Sequence, residues 1–271
     1  MRQLVKGILR RIAPQWTMSL LSARARVESH RCIALWGSGP VVDKLIGRFG
    51  NRVREGLFAG LVLTPMAHAE QLGPYLLGLY ESELERAWNT VFRGSYAQVI
   101  DIGARFGYYA VGLARRYPQA SVVAFDTDWW ARKATREMAA ANGTGNVEVC
   151  GFCTPAWLER HTREDALILS DCEGYEAVLF QPGIIPRLRS ATLIIETHEV
   201  YAPGVTNRLR EVFGQTHRVL EIGQETARRT TSLDLDFLTD DERRLATREV
   251  RTDQSWLLCL PRTGPNAAVL A

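Results

Sequence analysis

The chain has 271 residues, 46% hydrophobic and 23% charged, which is enough apolar chain to bury a full core and excludes the disordered class. Its formal charge of +3 is unevenly spread: residues 1–56 hold 11 Lys and Arg against 3 Asp and Glu, and the rest 22 against 27. The body is therefore mildly acidic, which argues against nucleic acid as its main substrate, and five scattered cysteines, an odd count, fit a reduced cytosolic protein.

The first segment, "MRQLVKGILRRIAPQWTMSLL", intersperses Leu4, Val5, Ile8, Leu9, Ile12 and Trp16 with four cations, too broken a run for a signal peptide and too short to span a bilayer. It reads as a helix docked on its own domain, with peripheral contact to an anionic membrane as the second reading. "ALWGSGPVVDKLI" (34–46) mimics a strand, a glycine turn and a helix, but too little chain precedes residue 97 to complete a nucleotide-binding domain there. "RVREGLFAGLVLT" (52–64) predicts a short hairpin around Gly60. Residues 72–92 predict a helix interrupted near Gly78, with Leu76, Leu77, Tyr80, Leu84, Trp88 and Val91 on one side as core.

From residue 97 short apolar runs alternate with helical stretches, the pattern of a parallel sheet covered on both faces. Strands are expected at 97–102, 121–126, 146–151, 166–171 and 191–197. Between them, a helix from Tyr108 stops at Pro118, and Thr154 caps another that has Pro155 in its first turn. A helix over 206–213, a run at 217–223, a polar connection of about 30 residues and a run at 254–260 follow. The fold class expected is α/β, a doubly wound, mostly parallel Rossmann-like sheet over 93–271, preceded by an extension over 1–92.

The turn after the first of these strands, "VIDIGARFGYYAVGLA" (99–114), lies where such sheets bind ligands. A dinucleotide needs G-x-G-x-x-G, so that the pyrophosphate can approach the backbone, and the middle glycine is missing between Gly103 and Gly107. S-adenosylmethionine carries no phosphate and suits the looser turn, with Asp101 in reach of its ammonium group. "VVAFDTD" places Asp126 at the end of the next strand, where a carboxylate can accept from two ribose hydroxyls.

These pieces, with "LSDCEGYEAVL" and "LIIETHE" in that order, resemble the class I S-adenosylmethionine-dependent methyltransferases and, more narrowly, the FkbM-like family, over about residues 55–200. The resemblance implies that Asp101, Gly103 and Gly107 hold the methionine end and Asp126 the ribose, with Ala104, Tyr108 and Thr127 in the same binding set. It places adenine near Phe152, Cys153 and Thr154. Where this family commonly has a small or amide residue, the chain has Arg105.

Methyl transfer to a hydroxyl gains from a base, and two polar clusters end the fourth and fifth strands: Asp171, Glu173 and Glu176, then Glu196, His198 and Glu199. His198 is the candidate general base, with a hydrogen-bonded structural histidine and a metal ligand as the other readings. Asp171 is a contact to cofactor or substrate and a candidate cap for a helix beginning near Glu173. Glu173 joins them as a weaker catalytic candidate, and Glu176 reads as a first-turn acid complementing a helix dipole. Tyr80 and Glu81 are placed to close over the cofactor.

Nothing in the spacing demands a metal, and "CGFC" (150–153) lacks the second ligand pair of a zinc site. The acceptor expected is a small molecule or glycan, with no nucleic acid. The rival reading is a non-catalytic binding module of the same fold in a glycan or biosynthetic assembly.

Overall fold

The computed structural model describes residues 13–35, 38–67, 72–223, 231–249 and 254–271. The N-terminal part contributes α1 (Pro14–Leu35), α2 (Ser38–Phe49), α3 (Leu72–Leu77) and α4 (Glu85–Val91). The sheet region then runs β1 (Gln98–Ile102), α5 (Tyr108–Arg116), β2 (Ser121–Phe125), α6 (Trp129–Ala141), β3 (Val147–Cys150), α7 (Pro155–His161) and β4 (Ala166–Ser170). After it come α8 (Glu176–Leu179), α9 (Ile185–Leu188), β5 (Thr192–Thr197), α10 (Val205–Gly214), β6 (His217–Gly223), α11 (Asp240–Thr247), β7 (Ser255–Pro261) and α12 (Ala267–Leu270).

The seven strands form one sheet in the order β3-β2-β1-β4-β5-β7-β6. The first five in that order are parallel, and β7 runs antiparallel between β5 and β6. Every residue of β1, β4 and β5 is buried, as expected of strands covered on both faces. Side-chain alternation then divides the core: Val99, Leu167, Leu169 and Ile194 join the apolar cluster on one face, and Ile100, Ile168 and Ile195 that on the other.

The expected strands and helices lie within a residue or two of the observed ones. Of residues 34–46, 34–35 end α1 and 38–46 open α2, so the described ones hold helix where a strand and its turn were mimicked; 36–37 lie outside the described residues. Residues 52–64 turn back on themselves through Gly60 (φ 84°), but pair at a single antiparallel bridge, Arg52 with Val62. The helix of 72–92 breaks where expected, at Gly78 (φ 75°), because the backbone of Glu55 passes so close that a Cβ there would stand 1.9 Å from its carbonyl oxygen. The polar connection after β6 carries its own short helix, α11, started by a capping box between Thr239 and Glu242. Residues 224–230 and 250–253 of that connection lie outside the described residues.

From α2 to α4 the N-terminal part packs on the same face of the sheet as α5, whereas Met18 of α1 joins the apolar cluster on the other face. Val41, Leu45, Leu61, Leu76 and Trp88 share a continuous apolar cluster with Val99, Val111, Leu169 and Leu258. α11 closes over α2 and α3: Lys44 Nζ meets Glu242 Oε1 at 2.6 Å, and the Ala246 carbonyl lies against Gly73. α1, whose first residues belong to the segment read as a docked helix, is docked on the domain. Ser19 Oγ donates to the Thr127 carbonyl (3.1 Å), and the Arg26 guanidinium donates to the Asp128 carboxylate (2.5 Å). Residues 1–12, the most basic part of the predicted N-terminal helix, lie outside the described residues.

Asn142 joins the two parts. Its amide oxygen accepts from the Val62 backbone N–H (2.8 Å), and its NH2 donates to the Val62 carbonyl (2.9 Å). Asn142→Ala leaves that peptide without either partner, and we expect a loss of about 1–3 kcal/mol in urea denaturation together with faster amide exchange at Val62.

Candidate active site

Strand order reverses between β1 and β4, which carry parallel neighbours off in opposite directions, and the candidate residues gather at their carboxyl ends. Asp101 is 2% exposed and its Oδ2 has no hydrogen-bond partner. Burial first, then the nearby Asp171 charge, push its carboxyl up to about 8, against a bond from the Ala110 backbone.

The turn that follows uses three left-handed residues: Gly103 (φ 96°), Arg105 (φ 50°) and Gly107 (φ 89°). At Gly103 the requirement is doubled, because a Cβ would sit 1.7 Å from the Asp171 backbone oxygen. The chains of β1 and β4 therefore touch backbone to backbone. Arg105 is exposed, and its backbone N–H donates to Asp126 Oδ2 (2.9 Å). Asp126 Oδ1 accepts from the Asp128 amide (2.8 Å), so this carboxylate spans the β1 turn and the start of α6. Its withdrawal from water raises it to about 6, against the two amide bonds. Thr127 is tied through its carbonyl to Ser19 of α1.

Of the residues implied for adenine, Phe152 packs its ring against Tyr175 (centroids 5.0 Å apart), Cys153 is buried, and Thr154 Oγ1 caps α7 by accepting from Trp157 N–H (3.1 Å). Cys150 and Cys153 are free thiols.

The two polar clusters do converge, on His198. Its ring, 1% exposed, has four carboxylates around it. Nδ1 faces Glu176 Oε1 at 3.3 Å, while Nε2 lies 3.4 Å from Asp171 Oδ1 and 3.7 Å from both Glu173 Oε2 and Glu196 Oε2. Burial by itself would lower the imidazole, but the Glu176 hydrogen bond and the Asp171, Glu176 and Glu173 charges overcome it and raise the ring to about 9. At neutral pH the ring is thus a cation among carboxylates.

Asp171 does not cap a helix here. Glu173 (φ 52°) and Gly174 (φ 89°) take left-handed conformations, so residues 171–175 form a turn and α8 starts only at Glu176. Glu176 is fully buried, and its Oε1 also accepts the His198 backbone N–H at 2.8 Å. It is a partner of the site histidine and more than a first-turn acid. Glu199 turns away and holds the loop before α10, accepting from Gly204 and Thr206 amides.

A narrow cavity runs between these groups, lined by Asp101, Gly103, Ala104, Arg105, Asp171 and Trp256, with Tyr75, Tyr80, Glu81 and Tyr108 on the opposite wall. Tyr75 and Tyr80 stack at 3.8 Å with Tyr108 edge-on to both, so Tyr80 is wall and core together. Glu81 is buried in a left-handed conformation and accepts from the Tyr109 hydroxyl.

Trp256, on β7, was not singled out from the sequence. It stands opposite Glu196 in the β5–β7 register, and its buried Nε1 has no hydrogen-bond partner. The apolar run at 254–260 marked the strand but not its position beside the site, which depends on an antiparallel pairing across 58 residues.

The chemistry of the lining suits a cationic ligand group. Asp101, Asp171, Trp256 and Glu81 line one cavity, and Asp101 Oδ2, Asp171 Oδ1 and Trp256 Nε1 are buried without a hydrogen bond. Its volume of about 30 Å³ admits an ammonium-sized group.

This sheet order, with its antiparallel seventh strand, is the class I methyltransferase fold. Neither a protein-family model nor a curated protein matches the sequence. Among solved structures, the chain is similar to the O-methyltransferase TomG of Streptomyces achromogenes, involved in tomaymycin synthesis, at 12% identity and TM-score 0.46, covering 67% of this chain and 80% of that one. It is also similar to an O-methyltransferase of Bacillus cereus (12%, TM-score 0.44, 82% and 89% covered). An rRNA methylase of Streptococcus thermophilus is a third (13%, TM-score 0.47, 66% and 96% covered). No helix among the described residues is long and apolar enough to cross a membrane.

Proposed function

We propose that the chain is an S-adenosylmethionine-dependent methyltransferase of FkbM-like type that methylates a hydroxyl of a sugar or another small metabolite. The observation that carries this reading is the acidic cavity at the strand-order reversal. Asp101 and Asp171 line it, each with a buried oxygen left without a hydrogen bond, under a turn that lacks the middle glycine a pyrophosphate needs.

Asp101 and Asp171 would take the ammonium group of the cofactor, Gly103 and Gly107 would let its amino-acid end lie against the backbone, and the lone pairs left on Asp126 would take the ribose. The cofactor supplies an electrophilic methyl on sulfur for in-line transfer. Arg105 lines the same cavity at its exposed rim. His198 and Asp171 stand at the ends of β5 and β4, where an acceptor proton would be removed. With the ring held near 9, about 1% of His198 is neutral at pH 7, so base catalysis through Nε2 rises with pH up to that value. The narrowness of the cavity favours the second reading, a binding module without transfer, and cofactor binding with no methylation of any sugar, lipid or small-molecule acceptor would support it.

Calorimetry with S-adenosylhomocysteine tests the first reading. Without ligand Asp101 titrates near 8, and an ammonium beside it lowers that value. Binding at pH 7 should therefore release protons, and affinity should rise with pH until about 8 and then level off. Heats measured in buffers of different ionisation enthalpy should show the release, and Asp101→Asn should abolish it. Absence of binding at millimolar ligand would overturn the reading.

A further inference from the structure

We propose that His198, Asp171 and Glu196 bind a divalent transition-metal ion. Each offers one ligand atom, and these atoms lie within 4.8 Å of one another. His198 Nε2 is 3.4 Å from Asp171 Oδ1 and 3.7 Å from Glu196 Oε2. Two ligands of a tetrahedral ion with bonds of about 2.1 Å stand roughly 3.4 Å apart, so an ion fits between these atoms with small side-chain adjustments.

Two further observations separate this arrangement from an ordinary acidic cluster. First, Nε2 is buried and aimed between the carboxylates, yet neither it nor Asp171 Oδ1 makes a hydrogen bond. Nε2 thus faces three carboxylates at 3.4–3.7 Å without settling on any of them as a hydrogen-bond partner. Second, the opposite nitrogen is oriented by a fixed carboxylate: Glu176 Oε1 faces Nδ1 at 3.3 Å and is itself held by the His198 backbone N–H at 2.8 Å. Once an ion displaces the Nε2 proton, a carboxylate on the remote nitrogen keeps the proton at Nδ1, leaves the lone pair at Nε2 and strengthens the imidazole as a ligand. Glu173 Oε2, 3.7 Å from Nε2 on a half-exposed side chain, supplies a further oxygen at the mouth.

One imidazole nitrogen with carboxylate oxygens is a mixed donor set that suits manganese(II), iron(II) or zinc(II) better than magnesium or calcium. Asp171 also lines the cavity described above, so the ion would sit at its edge. There it could bind an acceptor oxygen and lower its pKa, replacing Nε2 as the group that promotes loss of the acceptor proton; that use rests on the methyltransferase reading, whereas binding of the ion does not.

The test uses the full chain, stripped with a chelator, without cofactor or acceptor. Titration with manganese(II), followed by loss of the free-ion electron paramagnetic resonance signal, should show one site per chain, competed by zinc(II). Asp171→Asn should weaken it at least 10-fold, and Glu176→Gln by about 10–100-fold, in protein whose melting shows it to be folded. Should a variant not fold, X-ray absorption of the zinc-loaded unaltered chain decides: the proposal expects the outer-shell scattering of one imidazole, and an all-oxygen shell overturns it. No binding of either ion at millimolar concentration, or equal binding by folded Asp171→Asn, also overturns it.

Discussion

Gly103→Ala is expected to abolish cofactor binding and to cost about 3 kcal/mol or more in stability. Two causes combine. The residue sits at φ 96°, where a side chain is strained by about 1–3 kcal/mol. The added Cβ would also lie 1.7 Å from the Asp171 backbone oxygen, and the atom that would have to yield is main chain at the end of β4. It is not a flexible side chain. Asp171 N–H donates to the Ile102 carbonyl at 2.8 Å, so parting the two strands also breaks a ladder bond. The substitution thus acts on the turn and on the position of Asp171 together. Urea denaturation and calorimetry with S-adenosylhomocysteine check the two effects separately. Gly143→Ala, also left-handed (φ 65°) but with no atom near its Cβ, should show only the strain.

The second large effect is expected at Glu176. Glu176→Ala removes the acceptor of the His198 backbone N–H and the partner of its Nδ1 in a fully buried setting. Breaking a buried charged pair from one side costs about 3–5 kcal/mol, because the group left behind keeps its desolvation penalty without its partner. Glu176→Gln retains an amide oxygen for the backbone N–H and should lose roughly half as much. Chemical denaturation with an unchanged denaturant slope would assign the difference to the native state. A loss under 1 kcal/mol in the alanine variant would mean that the remaining carboxylates hold the ring unaided.

Much of this fold could be read from the chain because its strands are apolar runs with marked ends. Gly103 and Gly107 identify the first turn, Pro118 stops α5, and Thr154 with Pro155 starts α7, each through local chemistry that needs no partner. The convergence of the β4 and β5 ends followed from parallel topology. What the residues did not reveal was non-local or conformational. Glu176 looked like a dipole-complementing acid because its partner is 22 residues away and one strand over. Asp171 looked like a cap because nothing local announces that Glu173 will take a left-handed φ and delay α8. Trp256 enters the site through the antiparallel β7, whose neighbour in the sheet no sequence pattern specifies.

The core shared between the N-terminal part and the sheet sets an order of events at the ribosome. Elements early in this stretch are satisfied only by residues far downstream. Lys44 pairs with a residue 198 positions later, the loop at Ser95 closes on Asn266 171 positions later, and β7 must slot between β5 and β6 before the sheet is complete. Until α11 and β7 emerge, α2, α3 and one face of the sheet keep apolar surface uncovered. Such high-separation closure slows folding and exposes the nascent chain to aggregation. Synthesis interrupted before β7 would leave an intermediate with apolar surface exposed.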